Sequence, residues 1–551
     1  MMTRYIEFIK KYLLEEKLRF IILMLVVTIH SVVQVIQPLI LLQIIDVAFP
    51  NKNVNYFFLL IVGMASCYIF SAFFCVIKDY LSAKISENLC LGLRKKINRK
   101  ITLLKASFFD DHALGDVLSK YSKEVEVIKN NCGYTLIKIL GNAISLLVTG
   151  YVIMRIDWRV MLVSVVFIML YIACNNYFGG KVRLLAERSM KDNQNSVNAI
   201  TDNYNNVAVT KIYSAYRYIN SKFESVYKKQ YDTQMQLEVK YSMNINISSV
   251  AIYGLITIIW LIEGFRFMAD SVSIGTITAL INYQSMLVAP MIFFSQFNNS
   301  YQSTVMAIDR IDAFLNEAEE TVVSEAVDVV VDKVDFRNVS FGYRENCPIL
   351  ENVNMELSKG KIVGFVGESG SGKSTIVKML LNFYKPQQGE ILINDENIDN
   401  YAVNSLRERI VYSTQDSLLF RGSIKENLVL GKNVDEDKII EFSKKIDIYD
   451  EVNKLPDKWE EQINEGSSNI SGGQRKRLDI LRMLVHNSDI MIFDESTASL
   501  DQERRTRLFN VLKEIKEDKI IVFITHNMEE CKYFDDIYSI RDNRVLRMEN
   551  A

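Results

Sequence analysis

Apolar runs near residues 20–49, 56–77, 134–154, 159–178, 244–268 and 274–297 predict six membrane helices, because each approaches or exceeds the ~20 residues a helix needs to cross hydrocarbon. The first run also carries Gln34, Gln37, Pro38, Gln43 and Asp46. Polar groups are costly against lipid, so that end of the helix is expected to face other helices or water. The links between runs alternate in length. Short polar links lie near 50–55, 155–158 and 269–273, and connections of about 55–65 residues separate runs two and three and runs four and five. Short and long links therefore lie on opposite sides. Lys10, Lys11, Lys17 and Arg19, then Arg94, Lys95, Lys96, Arg99 and Lys100, then Lys181, Arg183, Arg188 and Lys191 all fall on the long side, which the positive-inside rule makes cytoplasmic.

The long connections contain no proline and keep a helical pattern, as in LSAKISENLCLGLRKKINRKITLL, so they read as helices continuing out of the bilayer. A helix over residues 56–105 would be ~75 Å long against a hydrocarbon core of ~30 Å. After Phe297 a helix is expected near 300–316 and an acidic linker over 317–332, followed by short β-branched runs separated by turns. From about residue 333 these runs predict an α/β domain.

Composition fits several domains: 551 residues, 49% hydrophobic and 24% charged. The 64 Lys plus Arg against 66 Asp plus Glu give no basic excess for nucleic acid, which is excluded as a partner. Cys67, Cys75, Cys90, Cys132, Cys174, Cys347 and Cys531 are scattered without CxxC spacing, suggesting neither a metal cluster nor a disulfide framework. The stretch MMTRYIEFIKKYLLEEKLRF has no small-residue cleavage site and reads as a cytoplasmic elbow, not a signal peptide.

Candidate chemistry lies in the second half. GFVGESGSGKSTI (364–376) places a glycine-rich loop between a buried strand and a helix start. The loop amides of Gly367, Ser369, Gly370, Ser371 and Gly372 suit phosphate oxygens, with Thr375 just beyond in the helix. Lys373 would bind the β and γ phosphates, and Ser374 would ligate Mg2+. In DIMIFDES (489–496) an apolar strand ends in Asp494, suited to hold Mg2+ through water, and Glu495, suited to polarise an attacking water.

Between these motifs, Ser471, Gly472, Gly473 and Gln474 form SGGQ at a helix start. SGGQ after a phosphate loop and before such a strand resembles the signature motif of ABC-transporter nucleotide-binding domains. Ile470 stands where the family usually has Leu. The resemblance implies that Ser471 and its glycines bind the γ-phosphate held by an opposite subunit. It further implies that Tyr343 stacks on adenine, Gln415 senses Mg2+ and the attacking water, Asp501 forms the D-loop, and His526 contacts the γ-phosphate. Glu465 matches the acid of the exporter loop that meets the coupling helices, with Asn464 in place of the usual preceding glycine. Phe108, Phe109, Asp110, Gly115 and Asp116 resemble the first coupling segment of exporters, which by itself could equally be a capped helical hairpin. The turn at 201–218 is its expected counterpart.

The implied fold is a membrane all-α six-helix exporter domain (1–316), a linker (317–332) and an α/β P-loop ATPase domain of ABC type (333–551). The implied cofactors are ATP and Mg2+. Implied partners are membrane lipid, a transported substrate, and a second copy in a homodimer or else a related half-transporter. The implied setting is a bacterial-type plasma membrane with the ATPase domain cytoplasmic. The implied activity is ATP-driven export by alternating access of a peptide or amphipathic compound, with drugs or lipids as the alternative. An ATP-gated sensor, regulator or channel is the reading from another class. The first span begins by residue 20, so the reading expects no leading protease domain of the peptide-exporter kind. His30, Gln34, Gln37, Gln284, Glu263 and Arg266 could contact cargo or simply bond helix to helix.

Overall fold

The computed structural model describes residues 8, 16–112, 114–321, 329–344, 347–368, 370–464, 469–486, 488–498 and 500–548. The chain forms two compact units, Met1–Arg99 with Gly115–Asn316, and Lys100–Leu114 with Glu317–Ala551.

The described residues of the first unit form helices joined by short turns. Its main helices are α1 (Lys17–Gln43), α2 (Val54–Leu103), and, after the short α3 (Ala106–Asp111) that belongs to the other unit, α4 (Tyr134–Ile156), α5 (Trp158–Asn205), α6 (Val207–Ile212), α7 (Tyr216–Met268) and α8 (Ile274–Leu315). Among the described residues, five helical segments are long and apolar enough to cross a membrane, and a sixth apolar stretch, Trp158–Ala173, lies within α5. Helix α2 runs 50 residues without a break and α7 runs 53, far more than hydrocarbon requires, so their polar ends project well beyond it. The helix expected near 300–316 is no separate element. It continues run six in the 42-residue α8, with Pro290 inside. The apolar pattern ends near Phe297 but helix propensity does not, and burial, not backbone preference, is what a hydropathy pattern reads.

Several polar groups within the spans bond helix to helix. Ser164 Oγ donates to Gln284 Oε1 at 2.8 Å, and Tyr283 Oη donates to the Val35 carbonyl at 2.7 Å. Arg266 pairs with Asp157 and with the fully buried Glu263. Asp46 lies in a π-helical turn that extends α1, and it caps the start of α8 by accepting from Ser273 and, at 2.9 Å, from the Gly275 amide. A carboxylate there also complements the helix dipole.

The second unit is built on a six-stranded sheet of order β12-β11-β3-β10-β9-β6. Here β3 is Lys361–Val366, β6 Ile410–Ser413, β9 Ile490–Asp494, β10 Ile520–Thr525, β11 Asp536–Arg541 and β12 Arg544–Met548. All neighbours are parallel except the edge strand β12. Strands β3, β9 and β10 are almost wholly buried, which explains their unbroken apolar runs: parallel strands are covered on both faces. An antiparallel sheet of order β2-β1-β4-β5, with β5 the short edge strand Glu396–Asn397, packs into the same core through β1 (Lys333–Phe341), β2 (Leu350–Ser358) and β4 (Gln388–Ile393).

On the other face an aromatic cluster joins the two central strands to a helix. Phe493 and Phe523 stack at 4.6 Å, and Phe509 lies 4.9 Å from Phe523 and 4.2 Å from Tyr533. Phe523→Ala leaves a hole among fully buried rings. It is expected to destabilise this unit by about 3–5 kcal/mol, read as a lower thermal midpoint of the full chain in nanodiscs; an unchanged midpoint would contradict this packing.

Candidate nucleotide site

Four neighbouring parallel strands end on the same side of the sheet, and each hands the chain to a predicted site residue. Strand β3 leads into the phosphate loop, β10 into His526, β9 ends in Asp494 before Glu495, and β6 leads to Gln415. The register aligns these ends: Thr525 pairs with Val366, Ile524 with Asp494, and Ser413 with Phe493. Ligand sites of doubly wound sheets form at such carboxyl ends.

After Val366 the loop turns sharply into helix α9 (Lys373–Leu380). Gly372 adopts φ +103°, and a Cβ there would come within 3.1 Å of both Leu350 and Ile349; only glycine accepts that backbone without strain. A Cβ on Gly367 would lie 2.6 Å from the Ile540 carbonyl. Lys373 Nζ reaches back over the loop and donates to the carbonyls of Gly367 (2.8 Å) and Glu368 (2.7 Å). Burial lowers its pKa, and the carboxylates of Glu495 and Asp494 act in the opposite direction. Ser371 Oγ is buried without a hydrogen-bond partner among the described residues. The amides that open α9 have no intrahelical acceptor. An orphaned hydroxyl, a buried ammonium turned onto backbone oxygens and a helix start make a cradle that fits a phosphate chain. Ser369 lies outside the described residues.

Opposite the cradle stand the two acids. Asp494 Oδ2 accepts from Tyr412 Oη at 2.9 Å and from Ser374 Oγ at 3.3 Å. Burial raises the Asp494 pKa above the ordinary aspartate value, and these two hydrogen bonds act against it. A divalent cation would favour the charged form that burial disfavours. The donor set of Ser374, Asp494 and nearby Gln415, all oxygen-bearing, fits Mg2+. Glu495 adopts φ +46°, a left-handed conformation uncommon outside glycine and a mark of functional strain. Its two oxygens are held separately: Gln415 Nε2 donates to Oε2 at 3.0 Å, and His526 Nδ1 lies 3.3 Å from Oε1.

Tyr343 stands at the edge of the cradle, partly exposed and edge-on to Phe341 at 5.2 Å and Tyr384 at 5.1 Å. Its hydroxyl lies 3.4 Å from Thr375 Oγ1, and Lys378 of α9 lies over both tyrosine rings. The same Lys378 and Tyr384 meet Asp110 in α3, by an ion pair at 3.6 Å and a hydrogen bond from the phenol. The expected coupling segment is thus in direct contact with the helix that follows the phosphate loop.

Ser471, Gly472, Gly473 and Gln474 lie apart from this cluster, at the exposed start of helix α10 (Gly472–Val485). Ser471 and Gln474 form a reciprocal capping box. Asp501 caps helix α11 (Gln502–Ile515) through the Arg504 amide. Glu465 lies outside the described residues.

Four sets of contacts have no signal in the linear motifs. Tyr412 reaches Asp494 only because β6 lies beside β9. Lys476 of α10 is buried and donates to the carbonyls of Thr414 (2.7 Å) and Gln415 (3.3 Å), tying the SGGQ helix to the glutamine loop. Glu320 accepts a bidentate pair from Arg407 at 2.6 and 3.0 Å, while Lys100 bonds Glu319 at 2.8 Å, so the residues after α8 are pinned to the second unit.

Comparison with known proteins agrees with this arrangement. A sequence profile described as ABC transporter transmembrane region matches residues 20–291, and one described as ABC transporter matches residues 350–498. Among relatives, a multidrug export ATP-binding/permease protein of Staphylococcus aureus strain NCTC 8325, so named provisionally, is 25% identical over 99% of this chain and 96% of its own length. A counterpart in the bovine strain RF122 is 24% identical over the same shares. A solved structure of a bacterial Atm1-family ABC exporter with ATP bound shares the fold, with a TM-score of 0.82 at 19% identity, covering 96% of this chain and 94% of that one. The chain belongs to the ABC transporter family, as an exporter that fuses a membrane-spanning region to an ATP-hydrolysing domain and uses ATP to drive export.

Proposed function

We propose that this half-exporter works as a dimer, with a second copy of itself or a related half-transporter, and moves an amphipathic compound or peptide out of the cell. Its ATPase domain lies on the cytoplasmic side of the plasma membrane. The relatives' assignment to multidrug export supports an amphipathic cargo, and lipids fall in the same class. The placement of basic residues on the long connections supports the orientation.

The observation that carries the mechanism is the suspension of Glu495 between Gln415 and His526, opposite Lys373. Lys373 and the loop amides bind the phosphates, and Tyr343 stacks on the base. Ser374, Asp494 and Gln415 would hold Mg2+, which would supply positive charge to offset that developing on the phosphate oxygens. Glu495 accepts a proton from the attacking water, and His526 keeps that carboxylate oriented while facing the γ-phosphate. Ser471, Gly472, Gly473 and Gln474 present a helix start to solvent, and Asp501 begins another helix nearby in sequence. Their exposure supports service to the phosphates of a second chain.

Helix α6 and the turn after it leave Val207, Val209, Ile212 and Tyr213 exposed, which also supports contact with a second chain. In this scheme nucleotide favours the closed dimer because it makes contacts there that the open pair lacks. Asp110, held by Lys378 and Tyr384, relays the movement toward the membrane unit.

Lys373→Ala removes a charge-assisted contact and is expected to weaken ATP binding by about 10- to 100-fold, measured with a fluorescent ATP analogue; unchanged affinity would remove Lys373 from the site. Glu495→Gln is expected to keep ATP affinity while hydrolysis falls by roughly 100- to 10,000-fold and closed dimers accumulate. Near-normal turnover in that variant would sink the assigned base. Export itself is read as vanadate-sensitive uptake into inside-out vesicles, and uptake that persists unchanged in Glu495→Gln would instead support an ATP-gated channel.

A further inference from the structure

Two carboxylates that the mechanism leaves unused lie buried behind Glu495: Asp479 of α10 and Glu530, each 1% exposed. Each is reached from a hydroxyl that follows Glu495 in the chain. Ser496 Oγ donates to Ser413 Oγ at 2.9 Å, and Ser413 Oγ donates in turn to Asp479 Oδ2 at 2.6 Å. Thr497 Oγ1 donates to Glu530 Oε1 at 2.7 Å. Both serines and the threonine are themselves buried, so water does not compete for these bonds. Two consecutive residues are thus held from opposite sides, because Asp479 belongs to the SGGQ helix and Glu530 to the 3-10 turn Met528–Tyr533 that follows His526.

Both acids are ion-paired. Arg482 of α10 donates to Asp479 Oδ1 and, at 3.0 Å, to the Leu418 carbonyl. Arg505 of α11 stands 3.4 Å from Glu530 Oε1 and donates to the Leu500 carbonyl at 3.3 Å, so the loop between Glu495 and Asp501 is fastened at Thr497 and again at Leu500. A buried ion pair adds little stability over an apolar core of the same volume, because desolvation offsets attraction. What it can add is a fixed geometry, and the residue that needs one is adjacent in the chain. Glu495 adopts φ +46°, a backbone that persists only where its surroundings over-determine it. Gln415 and His526 do not supply that constraint. Both are exposed, and both bond the tip of the carboxylate, not the backbone beneath it.

We infer that Asp479 and Glu530 are positioning residues for hydrolysis: through Ser413, Ser496 and Thr497 they fix the left-handed turn that aims Glu495 at the attacking water. The inference rests on Glu495 being the base. Both acids are buried behind the turn, so their influence passes through Glu495: the rate of the chemical step depends on them and affinity for ATP does not. The aim of the base is then set jointly by the SGGQ helix and by the turn after His526.

The test is a double-mutant cycle on the full chain in nanodiscs. Thr497→Val keeps the shape of the side chain and removes its hydroxyl, and Ser413→Ala cuts the relay to Asp479. Each is expected to lower kcat by roughly 10- to 100-fold while KM for ATP stays within about 2-fold, and Thr497→Ser, which keeps the hydroxyl, should restore the rate. Binding of a fluorescent ATP analogue shows that each variant is folded. Added to Glu495→Gln, whose residual hydrolysis is read by single turnover of radiolabelled ATP, Thr497→Val should cause no further loss, because effects that act through one residue do not add. A full rate in Thr497→Val or in Ser413→Ala would overturn the inference. So would an equal fractional loss with and without the Glu495 carboxylate, which is the behaviour of damaged packing. An inactive Glu495→Gln beside fully active hydroxyl variants rejects the positioning role alone, whereas near-normal turnover of Glu495→Gln rejects the base and the inference with it.

Discussion

Hydrogen bonding between β3, β10, β9 and β6 sets the distances on which the ATPase chemistry depends. The ladder is parallel up to its carboxyl edge, where Val366 pairs with Thr525, Ile524 with Asp494 and Phe493 with Ser413. Each residue beyond that edge is then placed by backbone geometry before any side-chain contact forms. A register slip of one residue in β9 would turn Asp494 to the other face of the sheet and separate it from Ser374 and Tyr412. The stacked rings of Phe493, Phe523 and Phe509 hold β9 and β10 together from below. Core packing and catalytic geometry are thus one problem in this unit.

The polar groups above that edge are arranged for ligands that bring charge. Lys373 and Asp494 are both buried enough to disfavour their ionised forms, and each is stabilised in the meantime by borrowed partners: loop carbonyls for the lysine, Tyr412 and Ser374 for the aspartate. Such contacts can be exchanged for phosphate and metal with little rearrangement, which is the advantage of a site organised in advance. Glu495 is held differently, on a left-handed backbone between two neighbours from separate strands. Lys476 and Asp110 then tie this region to two other parts of the chain, the SGGQ helix and the segment after α2. Bonded contacts thus join the nucleotide site to both segments.

Much of this was legible in the chain because it is written locally. Six apolar runs, a glycine-rich loop between strand and helix, and an acid pair ending an apolar strand each declare themselves within some twenty residues. What linear patterns could not provide was adjacency. Nothing near Tyr412 says that its strand lies beside β9. Glu320 looks like one acid of an acidic linker until Arg407, 87 positions away, is seen to grip it. Hydropathy likewise marked the end of the apolar run near Phe297, although α8 continues to Leu315.

The central claim is that one chain supplies two halves of different ATP sites, its phosphate loop serving one and its SGGQ turn the other. Co-purified mixed dimers, one chain carrying Lys373→Ala and the other Ser471→Ala, test this most directly by ATPase rate. Each variant alone should be nearly inactive as a homodimer. In the mixed dimer one site combines both defects, while the other pairs an intact Lys373 with an intact Ser471, so activity should recover toward that of a single working site. If mixed dimers stay at the level of the two homodimers, each site is built within one chain and the account is wrong.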